Sequence, residues 1–254
     1  MSRTLALFDL DHTLLPLDSD QSWARFYATL GFEGSADHAE EIDAYYQQYV
    51  AGTLDMDEYL GLTLAPLARH PRAQLDAWHA TFMKTVIEPA IRPEALALLR
   101  RHLDVGHLCC IVTATNAFIT APIAKALGVE HLLAIDLGTE GDDPLGRYTG
   151  RSVGVLTFRE GKIVRTEQWL ASRGLKLDDF EASYFYSDSV NDVPLMERIT
   201  HPVATNPDAK LRVIAAERKW PVVELFAEGG GGRSHLGFGG WTGCGRGSGA
   251  VPGG

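Results

Sequence analysis

Residues 4–13 read Thr-Leu-Ala-Leu-Phe-Asp-Leu-Asp-His-Thr: an apolar run over 4–10 that carries two aspartates two positions apart, Asp9 and Asp11, at its end. A short, unbroken apolar run closed by turn-forming residues predicts a strand buried on both faces, as in a parallel sheet. Two carboxylates crowded at a strand end repel each other and raise one another's pKa. A Mg²⁺ ion bound through carboxylate oxygens relieves that repulsion. The competing reading is a turn leading into a helix cap, because Asp and Thr favour both. A second stretch decides between them. Residues 184–192, Tyr-Phe-Tyr-Ser-Asp-Ser-Val-Asn-Asp, again run from strand to acidic turn, with Asp188 and Asp192 flanking the turn and a helical stretch following. Two acidic strand ends in one parallel sheet can converge on one metal.

Outward from these two stretches the chain alternates. Further strands are expected at 108–113, 131–136, 202–205 and 221–226, and helices at 93–103, 118–127, 164–173 and 193–198. That alternation predicts an α/β fold with a doubly wound, mostly parallel sheet, whose ligands bind at the carboxyl ends of the strands. Between the first two strands, residues 20–87 read as helices only. Trp23, Phe26, Tyr27 and Leu30 recur at helical spacing, as do Ile42, Tyr45, Tyr46 and Tyr49, and later Leu75, Trp78, Phe82 and Val86. Asp55 with Glu58 three residues on resembles a capping box. The expected organisation is a core of 1–19 and 88–228, an inserted all-helical cap at 20–87 acting as a lid, and a tail at 229–254. Residues 145–162, with alternation at 147–150 and 153–158 and a turn at Arg159-Glu160-Gly161, predict a small antiparallel excursion off the main sheet.

The chain has 254 residues, with 33 Asp+Glu against 23 Lys+Arg and a formal charge of -10. This balance argues against nucleic acid and anionic membranes as partners, since both need clustered Lys and Arg. No apolar run approaches the ~18 residues of a membrane span, and the N-terminus lacks the pattern of a signal peptide. Three cysteines, Cys109, Cys110 and Cys244, cannot build a disulfide framework and point to a cytoplasmic protein. Cys109 and Cys110 lie inside an apolar strand as core. Of 26 glycines, 13 fall in residues 229–254, which predicts a flexible appendage with no part in the chemistry.

Thr113 ends the second strand and opens Thr113-Ala114-Thr115-Asn116 before a helix. A hydroxyl beside free backbone N–H groups, that of Ala114 among them, is an anion site. Lys162, after Gly161 and just ahead of the 164–173 helix, is placed to neutralise a phosphate or a carboxylate.

In order, sheet context and spacing, Asp9-x-Asp11-x-Thr13, Thr113, Lys162 and Asp188-x-x-x-Asp192 resemble the haloacid dehalogenase-like hydrolases over residues 4–226. The helical insert resembles the cap of the phosphoserine phosphatase-like branch, and Asp-Leu-Asp-His-Thr-Leu-Leu-Pro-Leu-Asp-Ser-Asp-Gln-Ser-Trp (9–23) resembles a subset that includes histidinol-phosphate phosphatases. The resemblance implies a phosphatase of small phosphomonoesters. Asp9 would be the nucleophile that forms an aspartyl-phosphate, and Asp11 the general acid and then base. Mg²⁺ would be held by Asp9, the Asp11 main-chain carbonyl and Asp188, with Asp192 in support. Thr113, Ala114 and Lys162 would hold the phosphoryl group, and Asn191 would orient Asp188 or a metal-bound water. In phosphoserine phosphatases an acid nine positions after the nucleophile, here Asp18, meets the substrate amine, and cap arginines clamp its carboxylate. Gly61 and Thr63 stand where those arginines are expected, which disfavours phosphoserine. Histidinol phosphate, an amine without a carboxylate, fits better, with Asp18 or Asp20 on the ammonium and Trp23, Tyr45 or Tyr46 on the imidazole. A phosphotransferase or mutase sharing the aspartyl-phosphate is the alternative enzyme, and a phosphate- or Mg²⁺-sensing module the non-enzymatic one. Oligomeric state cannot be read from these residues.

Overall fold

The computed structural model describes residues 3–32, 34–51 and 53–226. Seven strands form one sheet: β1 (Thr4–Phe8), β2 (Leu108–Asn116), β3 (His131–Thr139), β4 (Tyr148–Val153), β5 (Ala182–Ser187), β6 (His201–Thr205) and β7 (Val222–Val223). Their order is β4-β3-β2-β1-β5-β6-β7. Every neighbouring pair is parallel except β3 with β4. The fold is therefore the α/β, mostly parallel architecture expected. β1 is central, with Phe8 in register with Ile111 on one side and Tyr186 on the other. Strand order reverses direction around β1, so its carboxyl end opens at a topological switch point, where α/β sheets bind ligands.

Six helices lie between β1 and β2; the first five are α1 (Ser19–Thr29), α2 (Ser35–Ala51), α3 (Met56–Arg69), α4 (Arg72–Phe82) and α5 (Glu88–Ala90), with a π-helical turn at Met83–Ile87. The others are α6 (Pro93–Leu103), α7 (Ala117–Ala126), α8 (Glu160–Ser172), α9 (Val193–Met196) and α10 (Ala209–Arg218). Because side chains alternate along a strand, the apolar run of β1 serves two cores. Ala6 and Phe8 face one, with Cys109, Ile111 and residues of α6 and α7. Leu5 and Leu7 face the other, with Cys110, Val112 and residues of α8, α9 and α10. Phe8 is fully buried, stacked on Tyr186 with ring centroids 5.1 Å apart. Removing such a ring costs about 3–5 kcal/mol, so the strand leading into Asp9 is firmly seated.

Helix starts follow their sequence signals. Asp18 accepts from Gln21 N at 2.8 Å to cap α1, Asp55 accepts from Asp57 N and Glu58 N to cap α3, and Asn116 accepts from Ile119 N to cap α7. Helix α6 begins with Pro93 and Glu94 and ends with Arg100, Arg101 and His102, which matches its dipole. Helix α3 lies against β4. The Gly150 backbone (φ +73°) comes so close that an added Cβ would sit 3.1 Å from Ala68 Cβ. Arg147 donates to Ala68 O at 3.1 Å, and the Arg72 guanidinium lies 4.0 Å over the Tyr148 ring.

Four expectations need correction. The excursion at 145–162 is one strand rather than two: β4 pairs antiparallel with a lengthened β3 inside the main sheet, and 153–158 forms no hairpin arm. The first strand stops at Phe8, so both aspartates lie beyond it. Helix α8 starts at Glu160, which puts Lys162 inside its first turn rather than ahead of it. The last strand shrinks to two residues. The glycine-rich stretch 229–254, with Cys244, lies outside the described residues. Among those described, no helix is long and apolar enough to cross a membrane.

Candidate active site

Asp9 follows β1 directly, and its backbone N–H donates to Tyr186 O at 2.9 Å, continuing the ladder by one rung. Its carboxylate is buried and Oδ1 accepts from Lys162 Nζ at 2.8 Å. The same ammonium reaches Asp192 Oδ2 at 2.7 Å, where Ser187 Oγ also donates at 2.7 Å. Lys162 is only 1% exposed. Burial alone would push its pKa down, but the Asp192 and Asp9 carboxylates outweigh burial and hold it above the ordinary lysine range. Burial raises Asp9 against the pull of Lys162, and it pushes Asp192 up to about 6 against the same pull. Asp9 therefore depends on its lysine to stay ionised. Gly161 is what lets Lys162 enter: a Cβ there would lie 1.9 Å from Leu156 O.

Thr13 links the two acidic turns. Its hydroxyl sits 3.4 Å from Asp9 Oδ2 and 3.1 Å from Asp188 Oδ1, and it accepts from Asp188 N at 3.0 Å. One hydroxyl proton thus serves two carboxylates. Asp188 is pushed well above the usual carboxylate range, first by burial and then by Asp9 and Asp192. Two facing carboxylates short of donors suit a hard divalent cation with oxygen ligands. Among the described residues no three His, Cys, Asp or Glu side chains gather into a ready-made cage. That is compatible with Mg²⁺, which takes one or two carboxylates and keeps several waters. Asp192, expected beside the metal, has its Oδ2 committed to Lys162 and Ser187. Asn191 accepts from Arg159 Nε at 3.2 Å and donates to Ser189 Oγ at 3.3 Å.

Asp11 is held at both oxygens. Ser19 N donates to Oδ1 and Thr115 Oγ1 to Oδ2, each at 2.8 Å. Burial and the Asp18 charge push it up to about 6, while Ser19 and Thr115 act the other way. A carboxyl tuned toward neutrality suits proton donation and acceptance at physiological pH. Between Asp11 and Thr13, His12 takes a left-handed conformation (φ 55°), its carbonyl accepting from Asn206 Nδ2 at 2.8 Å and its Nε2 3.0 Å from Tyr46 OH.

A pocket partly open to solvent joins these groups. Asp9, Asp11, Asp18 and Asp188 line it with Thr113, Ala114 and Thr115, and Tyr45, Tyr46 and Tyr59 from α2 and α3 form its outer wall. No lysine or arginine among the described residues lines it. Asp20 lies behind Tyr59, whose OH donates to it at 2.7 Å. Burial and the neighbouring Asp20 push Asp18 up to about 7, and burial does the same to Asp20 against the Tyr59 hydrogen bond.

Trp23 does not line the pocket and is corrected here. It is 4% exposed, edge-on to Phe82 and Phe118 and stacked on His79, because its side of α1 faces the core. Helical spacing marks a buried stripe without telling core from cavity. Sequence reading passed over Tyr59, Thr115, Ser19, Ser187 and Asp208, whose Oδ2 accepts from Val190 N at 3.0 Å and steadies the Asp188 turn. The hydroxyl-rich 113–116 turn was the available signal for Thr115; the others are joined only by the fold.

A family model described as haloacid dehalogenase-like hydrolase matches residues 6–197. The chain is 40% identical over 223 residues to the histidinol-phosphatase of Neisseria meningitidis serogroup C (strain 8013), covering 88% of this chain and 99% of that one. It is 31% identical over 220 residues to a phosphoserine phosphatase of Mycobacterium tuberculosis (strain H37Rv), covering 85% and 69% respectively. A crystal structure of a protein of unknown function from Bordetella pertussis Tohama I superposes with a TM-score of 0.83 at 52% identity, over 89% of this chain and all of the other. A phospho-aspartyl intermediate analogue of phosphoserine phosphatase shares the fold, with a TM-score of 0.62 at 18% identity over 89% and 95% of the two chains.

Proposed function

The chain belongs to the haloacid dehalogenase-like hydrolase family and is a phosphatase, and we propose that it hydrolyses histidinol phosphate through an aspartyl-phosphate on Asp9, with Mg²⁺ as cofactor. In the first step an Asp9 carboxylate oxygen attacks phosphorus, the P–O bond to the alcohol breaks, and Asp11 gives the departing alkoxide its proton. In the second, water attacks the same phosphorus, Asp11 takes the water's proton, and inorganic phosphate leaves Asp9 as a carboxylate. Lys162 keeps Asp9 ionised for the attack and Asp192 keeps Lys162 in place. Thr113 and the Ala114 N–H receive phosphoryl oxygens at the start of α7. Asp9, Asp188 and the Asp11 main-chain carbonyl would hold Mg²⁺, which when bound offsets the repulsion between the carboxylate and the phosphate dianion.

The observation that carries the substrate assignment is the pocket wall: four aspartates, three tyrosines and, apart from His12, whose ring burial holds toward its neutral form, no basic side chain. A substrate carboxylate would find no counter-ion there, and burying one unpaired costs several kcal/mol. Gly61 is exposed and Thr63 is buried with an unpartnered hydroxyl, so neither replaces the missing arginines. An ammonium finds Asp18, and a flat imidazole finds tyrosine faces. The helical segment at 20–87 is assigned as the selecting cap, since it supplies those tyrosines. The name of the Neisseria relative agrees. A panel of phosphomonoesters with Mg²⁺, read as phosphate release without added acceptor, tests both substrate and reaction. Histidinol phosphate should exceed phosphoserine and p-nitrophenyl phosphate in kcat/KM by at least about tenfold. Equal rates on all three would sink the substrate, and consumption of substrate only with an added alcohol acceptor, the phosphoryl group appearing on that acceptor and not as inorganic phosphate, would favour a phosphotransferase.

A further inference from the structure

We infer that Thr115 is a positioning residue for Asp11, holding its carboxyl in the one orientation from which it both gives and takes the proton. The inference rests on Asp11 as the acid and base proposed above.

Three features of the chain aim this hydroxyl. The register between β2 and β3 shifts between Val112 and Asn116, so residues 113–115 bulge between two paired positions. The bulge is pinned at both ends: Thr115 N donates to Thr113 Oγ1 at 3.1 Å, and Asn116 caps α7 through Ile119 N at 3.2 Å. Thr115 itself is 6% exposed, lines the pocket, and donates to Asp11 Oδ2 at 2.8 Å across 104 positions of sequence.

The two partners of Asp11 differ in chemistry. The Ser19 amide only donates, so it suits Oδ1 as an acceptor in either protonation state. A threonine hydroxyl donates or accepts by rotating. It can give its hydrogen to one lone pair of Oδ2 and leave the other to carry the proton that passes to the alkoxide and returns from the water, so the hydrogen bond survives both halves of the reaction. An apolar side chain here would leave Oδ2 without that partner. The hydrogen bonds of Thr115 go to Thr113 and Asp11 and not to Asp9, so it acts through Asp11.

The test compares leaving groups in a single turnover, measuring the rate of enzyme phosphorylation with Mg²⁺ for phosphoethanolamine, whose alkoxide needs a proton to depart, and for p-nitrophenyl phosphate, whose phenolate does not. Asp11→Asn should show the largest contrast between the two. Thr115→Val, which keeps shape and removes the hydroxyl, should slow the alkyl substrate about tenfold, the order expected for one hydrogen bond, and the aryl substrate no more than about twofold. KM should change little, and Thr115→Ser should restore the alkyl rate to within about twofold of wild type. If Thr115→Val melts early, Thr115→Ala carries the same comparison. Equal losses on both substrates, or no alkyl loss while Asp11→Asn shows one, would overturn the role of Thr115 and leave Asp11 standing. Absence of a contrast in Asp11→Asn would remove the acid–base reading and this inference with it.

Discussion

Replacing Lys162 by methionine isolates the electrostatic centre of the site. Methionine fills much of the same volume without the ammonium, so packing changes little while two carboxylates, 2.8 and 2.7 Å from the lost charge, are left facing each other. The side chains of Lys162, Asp9 and Asp192 are 2%, 9% and 1% exposed, so solvent screens little of the loss. Removing one partner from a buried ion pair costs about 3–5 kcal/mol, and two stranded acids put this case toward the upper end. A domain is stable by only about 5–15 kcal/mol, so the variant should sit near the edge of folding at alkaline pH. Without the lysine, the folded-state pKa values of Asp9 and Asp192 rise further above the ~3.9 of an unfolded chain. Between that value and the raised ones the native state binds more protons than the unfolded state, so stability falls as pH rises through the window. Urea denaturation of wild type and Lys162→Met at pH 5 and pH 8, without Mg²⁺, should therefore give a destabilisation about 2 kcal/mol larger at pH 8. Adding Asp192→Asn should recover part of it, a coupling expected for groups in contact. A loss below about 1 kcal/mol at pH 8, or one independent of pH, would refute the claim that Lys162 is the counter-ion of these acids.

Asp9→Asn should abolish phosphate release while circular dichroism and melting stay close to wild type, and full activity in that variant would rule out Asp9 as nucleophile. Mg²⁺ should raise the melting temperature, more at pH 8 than at pH 5 because protons compete for Asp188, and Asp188→Asn should remove the shift. Chelation should stop turnover in parallel. Asp20 is raised to about 7 in the fold, so its charge costs stability as pH rises from about 4 through 7. Asp20→Asn should therefore be stabilising at pH 8, by a few kcal/mol at most, and nearly neutral at pH 4, as read by denaturant melts. Gly161→Ala places a methyl against Leu156 O. It should shift the first turn of α8 and cut kcat by about a hundredfold or more, with a smaller effect on KM.

The central strands were legible because a strand buried on both faces is written as an unbroken apolar run, and their acidic ends fell where β1 and β5 end. Lys162, though misplaced relative to its helix, was recognisable from the glycine before it. What could not be read locally was contact across the fold. β4 pairs with the end of β3, which runs past the expected Asp136 to Thr139 through Gly138, a residue that breaks an apolar pattern rather than prolonging it. Trp23 and Tyr59 both follow helical periodicity, yet one faces a core and the other a cavity, and only the packing of α1 and α3 separates them. The partners of Asp11, Ser19 and Thr115, are joined by hydrogen bonds over 8 and 104 positions that no spacing rule predicts.

The sheet's two margins bear on how the protein behaves in a crowded solution. An open strand edge offers unpaired N–H and C=O groups to any passing chain, and proteins blunt such edges by shortening or covering them. Here, among the described residues, β7 offers only two on one side. On the other, α3 lies over β4, with the backbone of Gly150 pressed to Ala68 and Arg147 bound to the end of the helix. The contact that fixes one side of the helical roof over the pocket thus also shields the sheet from growing by strand addition. A side chain at Gly150 would loosen both at once, so activity and resistance to aggregation should be lost together.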